Sequence, residues 1–269
     1  MSRLFAIVCN EPARLVQAID PLRTALTVDE APHGWGLASF QGGEVLLQRN
    51  PRPTAPVDFA RAVIDLKSDY VLGNVRAPGA KAAPENTPPY RYRSWVFGHS
   101  GRIQNFAAMQ GDLLASVPDF LRRSIRGQTE SESLFYLVLA FLHDAGKLDD
   151  QEPRLADAEN ALRAMLAMTE QIAHQRGAVT HGLDCMLTNG RFLLAARKGP
   201  PMYWKRVHTD EKVKEPRNGP GTMDRQVMIL SEPKGGKPEG FEEIPDGSIV
   251  TVSRDFHTTL APISTGQSS

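Results

Sequence analysis

The chain opens on an apolar run, Leu4-Phe5-Ala6-Ile7-Val8-Cys9, bounded by Arg3 and Asn10. A short continuous run of this kind fits a strand buried on both faces. The period then changes. Leu15, Ala18, Ile19, Leu22 and Leu26 recur at three- and four-residue steps, which predicts a helix over 11–26 that Pro21 kinks or breaks. Residues 33–40 read as a glycine-punctuated strand, 41–44 as a hairpin turn and 44–49 as the partner strand. A second helix is predicted over 56–66, a strand over 69–76, a proline-rich loop over 78–89, and a strand over 94–99 that Ser100-Gly101 ends.

The middle of the chain is helical in pattern. Residues 106–126 are mainly helix. Thr129 is placed to cap a long apolar helix running to His143, with Glu132 completing a capping box. A further helix is predicted over 153–176, with Ala158, Leu162, Met165, Leu166 and Ile172 facing the core. Strands return at 183–188, at 191–197 across an Asn189-Gly190 turn, at 226–231 and at 248–253. Residues 207–225 and 232–239 are polar and Gly/Pro-rich, so they are expected as exposed loops. Strands, then helices, then strands again imply an α+β sandwich with antiparallel sheets inside and helices outside. The expected organisation is one domain over 1–256 and a frayed tail over 257–269.

Composition narrows the function. The 269 residues carry 31 Lys plus Arg against 31 Asp plus Glu, without the basic excess of a nucleic-acid binder. Arg91-Tyr92-Arg93 interleaves an aromatic with cations but has no wider basic patch, so it reads as a solvated loop. No stretch is long and apolar enough for a membrane span, and the first apolar run is too short for a signal peptide. A cytoplasmic protein with no membrane partner is expected. Cys9 and Cys185 sit in apolar runs and read as buried reduced thiols; they form no CxxC pair and no zinc-ligand spacing. No cofactor is called for. Trp35, Trp95 and Phe97 read as core aromatics.

Several separated segments carry a resemblance. His33-Gly34-Trp35-Gly36-Leu37-Ala38 is similar to an Asp-Gly-Trp-Gly-Ile-Ala segment of class II glutamine amidotransferases. Gly73-Asn74-Val75-Arg76-Ala77 resembles their His-Val/Ile-Arg-x-Ala-Thr segment. Glu85-Asn86-Thr87-Pro88-Pro89-Tyr90 and Phe97-Gly98-His99-Ser100-Gly101 resemble Glu-Asn-Thr-His-Pro-Phe and Phe-x-His-Asn-Gly. Gln128-Thr129-Glu130-Ser131-Glu132 resembles Thr-Thr-Asp-Ser-Glu, and Ile244-Pro245-Asp246-Gly247 fits as well. The nearest branch is the small stand-alone amidotransferases that include the ergothioneine-pathway amidohydrolase. The resemblance implies a four-layer αββα N-terminal-nucleophile (Ntn) hydrolase sandwich.

It also implies roles. In the family, a cysteine at the mature N-terminus is the nucleophile and its own α-amino group is the base; Ser2 stands there. The oxyanion donors are an Asn amide and the next Gly N–H; Ser100 and Gly101 stand there. Arg76 matches the substrate-carboxylate clamp, and Glu130 stands where an Asp holds the substrate's α-amino group. His33 replaces an Asp, Asn74 a His, and Pro88 a His. Read on their own, Arg76 is equally an ordinary ion pair, Glu130 a helix-N-terminal charge, and His99 a core histidine with a backbone partner rather than a general base. Asn74 and His99 complete the candidate binding set. Three functions remain open. One is a degenerate member binding a glutamine-like ligand or a protein partner. The second is a Ser2-dependent hydrolase acting on a γ-glutamyl or related amide. The third is a scaffold subunit in a homo- or hetero-oligomer with an active homologue.

Overall fold

The first apolar run forms the central strand that its pattern predicts, and the other strands follow it in order. They are β1 (Arg3–Cys9), β2 (Trp35–Gln41), β3 (Glu44–Asn50), β4 (Tyr70–Val75), β5 (Tyr90–Tyr92), β6 (Trp95–Gln104) and β7 (Val179–Thr188). After these come β8 (Leu193–Arg197), β9 (Met202–Thr209), β10 (Asp224–Ser231), β11 (Glu242–Ile244), β12 (Ser248–Val252) and β13 (Thr258–Pro262). Short helices α1 (Leu15–Ile19), α2 (Arg23–Leu26) and α3 (Phe59–Ala62) belong to the first half of the chain. Helices α4 (Ala107–Ala115), α5 (Asp119–Arg122), α6 (Glu130–Asp144) and α7 (Leu155–Arg176) fill the middle. This is a computed structural model that describes residues 2–27, 34–76, 81–209 and 224–264. His33 and Ala77 of the resemblance segments lie outside the described residues, as do 210–223 of the expected loop and 265–269 of the expected tail.

One sheet has the order β11-β9-β10-β1-β4-β2-β3 and the other β13-β12-β8-β7-β6-β5. Neighbouring strands in both are antiparallel. Alternation along β1 explains the layers. Leu4, Ala6 and Val8 face the second sheet and pack with Leu72, Val96, Met186 and Val250. Phe5 and Ile7 face the other way, against Leu15, Ile19 and Phe59 of α1 and α3. On the far side, Phe97, Leu187 and Leu194 pack under α4, α6 and α7. The result is helix, sheet, sheet, helix: the αββα sandwich.

Two glycines set the fit between layers. A Cβ on Gly73 would fall 2.1 Å from the Phe5 ring, and one on Gly98 would fall 2.4 Å from Leu4 Cδ1. Leu4 therefore reaches across to β6 only because position 98 has no side chain.

The structure departs from the sequence expectations at several places. The strand predicted to end at Ser100-Gly101 runs on to Gln104, with a bulge between Gly101 and Ile103 that absorbs the glycine. The helix over 11–26 is broken into short α and 3-10 pieces with Pro21 in one of the latter, and the helix over 56–66 is the single turn α3. Strands β5, β9, β11 and β13 lie where loops, tail or no element were expected. Thr258–Pro262 pairs with β12, Thr251 and Thr259 share a hydroxyl hydrogen bond, and Ile263 is buried, so the chain is ordered at least to residue 264. An alternating Thr-Thr-Leu stretch on a sheet edge carries too little apolar pattern to be read as a strand. Cys9 and Cys185 are free and buried, as expected. Among the described residues no helix is long and apolar enough to cross a membrane.

Gly73→Ala is expected to destabilise the fold by roughly 1–3 kcal/mol, the usual range for overpacking a core. Gly111 in α4 has open space where its Cβ would be, so Gly111→Ala is expected to stabilise by about 0.5–1 kcal/mol. Urea unfolding of the two variants beside wild type checks both signs.

Candidate functional site

Antiparallel pairing brings the ends of three strands together. Ser2 directly precedes β1, and β4 pairs with β1 and β2 so that Asn74, Val75 and then Arg76 finish beside it. The Arg76 N–H donates to Gly34 O at 2.7 Å, which fixes where the chain leaves β4. Trp35-Gly36 opens β2 alongside. A Cβ on Gly36 would fall 2.3 Å from Pro88 O, so the glycine lets the Glu85–Pro89 segment lie against β2. From the second sheet, β6 presents His99, Ser100 and Gly101. From the helical layer, α6 begins at Glu130.

These pieces enclose a pocket of about 440 Å³. Ser2, Asn74, Arg76, His99, Gly101 and Glu130, all candidates from the sequence, line it together. Tyr90, Arg102, Gln128 and Thr129 also line it, although the sequence marks none of them as a site residue. Pro88, where the resemblance implies a histidine, lines it too.

The Asn86 segment is the frame of one wall. Asn86 Nδ2 donates to Lys81 O, Asn86 Oδ1 accepts from the Gln128 N–H at 2.9 Å, and Thr87 Oγ1 donates to Ala83 O. The Tyr90 hydroxyl and Thr129 Oγ1 share a hydrogen bond. Thr129 caps α6 as predicted, accepting from the Glu132 N–H at 3.2 Å. The other half of the predicted capping box differs. The Glu132 carboxylate turns away from Thr129 and accepts from the Arg126 and Gly127 N–H groups, ordering the turn before the helix.

Burial sets the electrostatics. Glu130 is pushed above the ordinary carboxylate range by desolvation, partly offset by the Ile103 N–H that donates to it across the β6 bulge. Desolvation also lowers Arg76. His99 is lowered to about 4 by desolvation and is a neutral imidazole at physiological pH; its Nδ1 is 2.9 Å from Ser131 Oγ. The Asn74 side chain is fully buried, and neither its Nδ2 nor its Oδ1 has a hydrogen-bond partner.

Ser100 is the one candidate that does not line the pocket. It is fully buried on the face of β6 that meets the first sheet. Its hydroxyl lies 3.3 Å from Ser2 O and 3.2 Å from Glu232 Oε2. Glu232 is held with a positive φ of 50°, its N–H donating to Pro201 O, while Arg3 donates to its carbonyl. Beside it, buried Asp184 accepts from the Ser231 hydroxyl and the Lys198 N–H; desolvation raises it to about 7. From sequence, Glu232 is expected only as part of an exposed loop. No sequence signal joins it to a serine 132 residues earlier.

The sequence model of the family described as class II glutamine amidotransferases matches residues 1–254. A glutamine aminotransferase class II domain protein from Silicibacter pomeroyi has a similar structure, with 20% identity and a TM-score of 0.63, covering 97% of this chain and 98% of that one. A predicted glutamine amidotransferase from Pseudomonas aeruginosa is similar at 17% identity and a TM-score of 0.57, covering 94% and 97%. The glutamine phosphoribosylpyrophosphate amidotransferase of B. subtilis, solved with ADP and GMP, is similar at 11% identity and a TM-score of 0.58, covering 98% of this chain and 50% of that one. At these identities the likeness speaks to the fold alone. Among curated protein sequences none matches.

His99 gives a pH test. Its folded pKa of about 4 lies below its ordinary 6.5, so its neutral burial is favourable above pH 6.5 and is lost as the pH falls towards 4. Asp184 has the opposite sign: raised from 3.8 to about 7, it weakens the fold as pH rises through that window. The two slopes oppose each other in wild type. In His99→Gln the first is gone. The wild-type minus variant difference in unfolding free energy is expected to fall by on the order of 3 kcal/mol between pH 6.5 and 4. A difference that stays flat in urea titrations across that range would contradict the assignment.

Proposed function

The chain belongs to the class II glutamine amidotransferase family, and on that premise we propose that it is a catalytically weak or inactive member that keeps a pocket for a glutamine-like ligand. The observation that carries this is the orientation of Ser100. At the position of the family's oxyanion amide, its hydroxyl is directed at Ser2 O and the Glu232 carboxylate, not into the pocket. A carboxylate behind the site opposes the development of negative charge in front of it. Ser2 adds a second deficit. A hydroxyl is far less acidic than a thiol, whose unperturbed pKa is about 8.5, so an α-amine of pKa about 8 activates it poorly.

The binding half of the site is better preserved. Arg76 offers a guanidinium for a carboxylate, and Glu130 an acidic oxygen for an amine. Asn74 presents an amide edge with both of its groups unmatched, suited to a ligand that carries donor and acceptor side by side. The small-molecule amide is therefore the expected partner. A second reading, hydrolysis of such an amide through Ser2, is favoured by one fact: Ser2 itself lines the pocket.

Ammonia release from glutamine separates the readings. Wild type and Ser2→Cys are both expected to be feeble. Adding Ser100→Asn to Ser2→Cys restores a donor type whose loss typically costs about 10²–10³ in rate, so the double variant is expected to exceed Ser2→Cys by on the order of 10²-fold. Robust wild-type turnover that Ser2→Ala abolishes would establish the hydrolase instead.

A further inference from the structure

A second, larger cavity of about 650 Å³ lies at the other end of the sandwich and shares no residue with the Ser2 pocket. Strand β4 links them: it begins at Tyr70 in this cavity and carries Asn74, one residue before its end, into the other. The walls are the Gly42-Gly43 turn between β2 and β3, the turn entering β6, the loop after α6, and the Asn189-Gly190 turn between β7 and β8.

Tyr70 marks the cavity as more than a gap between loops. The residue is only 4% exposed and lines the cavity, and its hydroxyl is buried with no hydrogen-bond partner. Buried polar groups are normally satisfied, so an orphan of this kind points to something that completes it. Five cations surround it. Three are engaged: Arg91 with Glu44, Arg93 with Asp149 and Arg191 with Glu152. Lys67 and Arg254 have no hydrogen-bond or ion-pair partner among the described residues. Burial makes the Tyr70 hydroxyl harder to ionise; Arg254 is near enough to ease this, and Asp69 and Asp255 are near enough to oppose it. Of the acids in the lining, Glu44 and Asp149 belong to the pairs above and Asp150 holds Lys147, which leaves Asp69.

We propose that this cavity binds a phosphate-bearing small molecule, with the phosphate taken by Lys67, Arg254 and the Tyr70 hydroxyl and a hydroxyl of the ligand accepted by Asp69. A phosphate presents enough acceptor oxygens for two cations and a neutral donor at once. Asp69 would repel a bare anion and suits the hydroxyl-bearing part of a larger one. The volume has room for both.

Calorimetric titration of the full chain with glucose 6-phosphate and with inorganic pyrophosphate tests this, with glucose as the uncharged control. Saturable binding of a phosphate probe and none of glucose is expected. Lys67→Ala and Arg254→Ala should each weaken it about tenfold, a loss of about 1.4 kcal/mol, whereas Arg76→Ala should leave it unchanged. Tyr70→Phe should weaken binding while keeping or raising the melting temperature of the unliganded protein, because it removes an unsatisfied hydroxyl. The proposal fails if neither phosphate probe binds at about millimolar concentration. It also fails if binding survives the Lys67→Ala/Arg254→Ala double variant, or if Arg76→Ala abolishes it, which would place the ligand in the Ser2 pocket.

Discussion

Leu4 packed over Gly98 is the contact on which the rest of the molecule depends. Two antiparallel sheets meet face to face, and their inner surfaces interdigitate only where side chains and gaps alternate. On β6 the gap is Gly98, and Leu4 of β1 fills it. That one fit fixes the height of β1 against β6. Because side chains alternate along each strand, it also decides that Ser2, two residues before Leu4, lies over Ser100, two residues after Gly98. The relation between the chain's start and the middle of the second sheet is a matter of packing before it is one of chemistry.

Much of this architecture was legible in the sequence. The apolar run after Met1, the helical spacing over 153–176 and the Thr129 cap each rest on local pattern, and each forms as read. The pieces that were missed have weak local signals. Strand β9 begins in the mixed sequence Met202-Tyr203-Trp204-Lys205, and β13 is an edge. Both are strands because a neighbour offers hydrogen-bonding partners, a fact that no window of residues contains. The helix predicted over 56–66 shrinks to one turn for the converse reason: only Phe59, Ala60 and Val63 are buried in the core, while Val57, Ala62 and Leu66 pack at its margin.

The candidate site divides the same way. Motif resemblance picked out residues that, Ser100 apart, the fold gathers into one pocket: Ser2, Asn74 and Arg76 at the ends of β1 and β4, His99 and Gly101 within β6, and Glu130 at the start of α6. What it missed is the layer behind them. Glu232 occupies a strained backbone position after β10, and Asp184 is buried in β7. Glu232 meets the Ser100 hydroxyl and Asp184 meets the Ser231 hydroxyl, contacts made only after the two sheets close. A polar residue in a Gly/Pro-rich stretch looks like a solvated loop until its partner is known.

The unmatched Asn74 amide has a consequence for discrimination. A buried amide group without a partner carries a free-energy penalty of about 1–3 kcal/mol in the resting protein. A guest that matches both edges of Asn74 recovers that penalty in addition to its other contacts, and a guest of the same shape lacking either edge does not. Selectivity of this kind is set by what a guest leaves unsatisfied at Asn74 and does not depend on turnover.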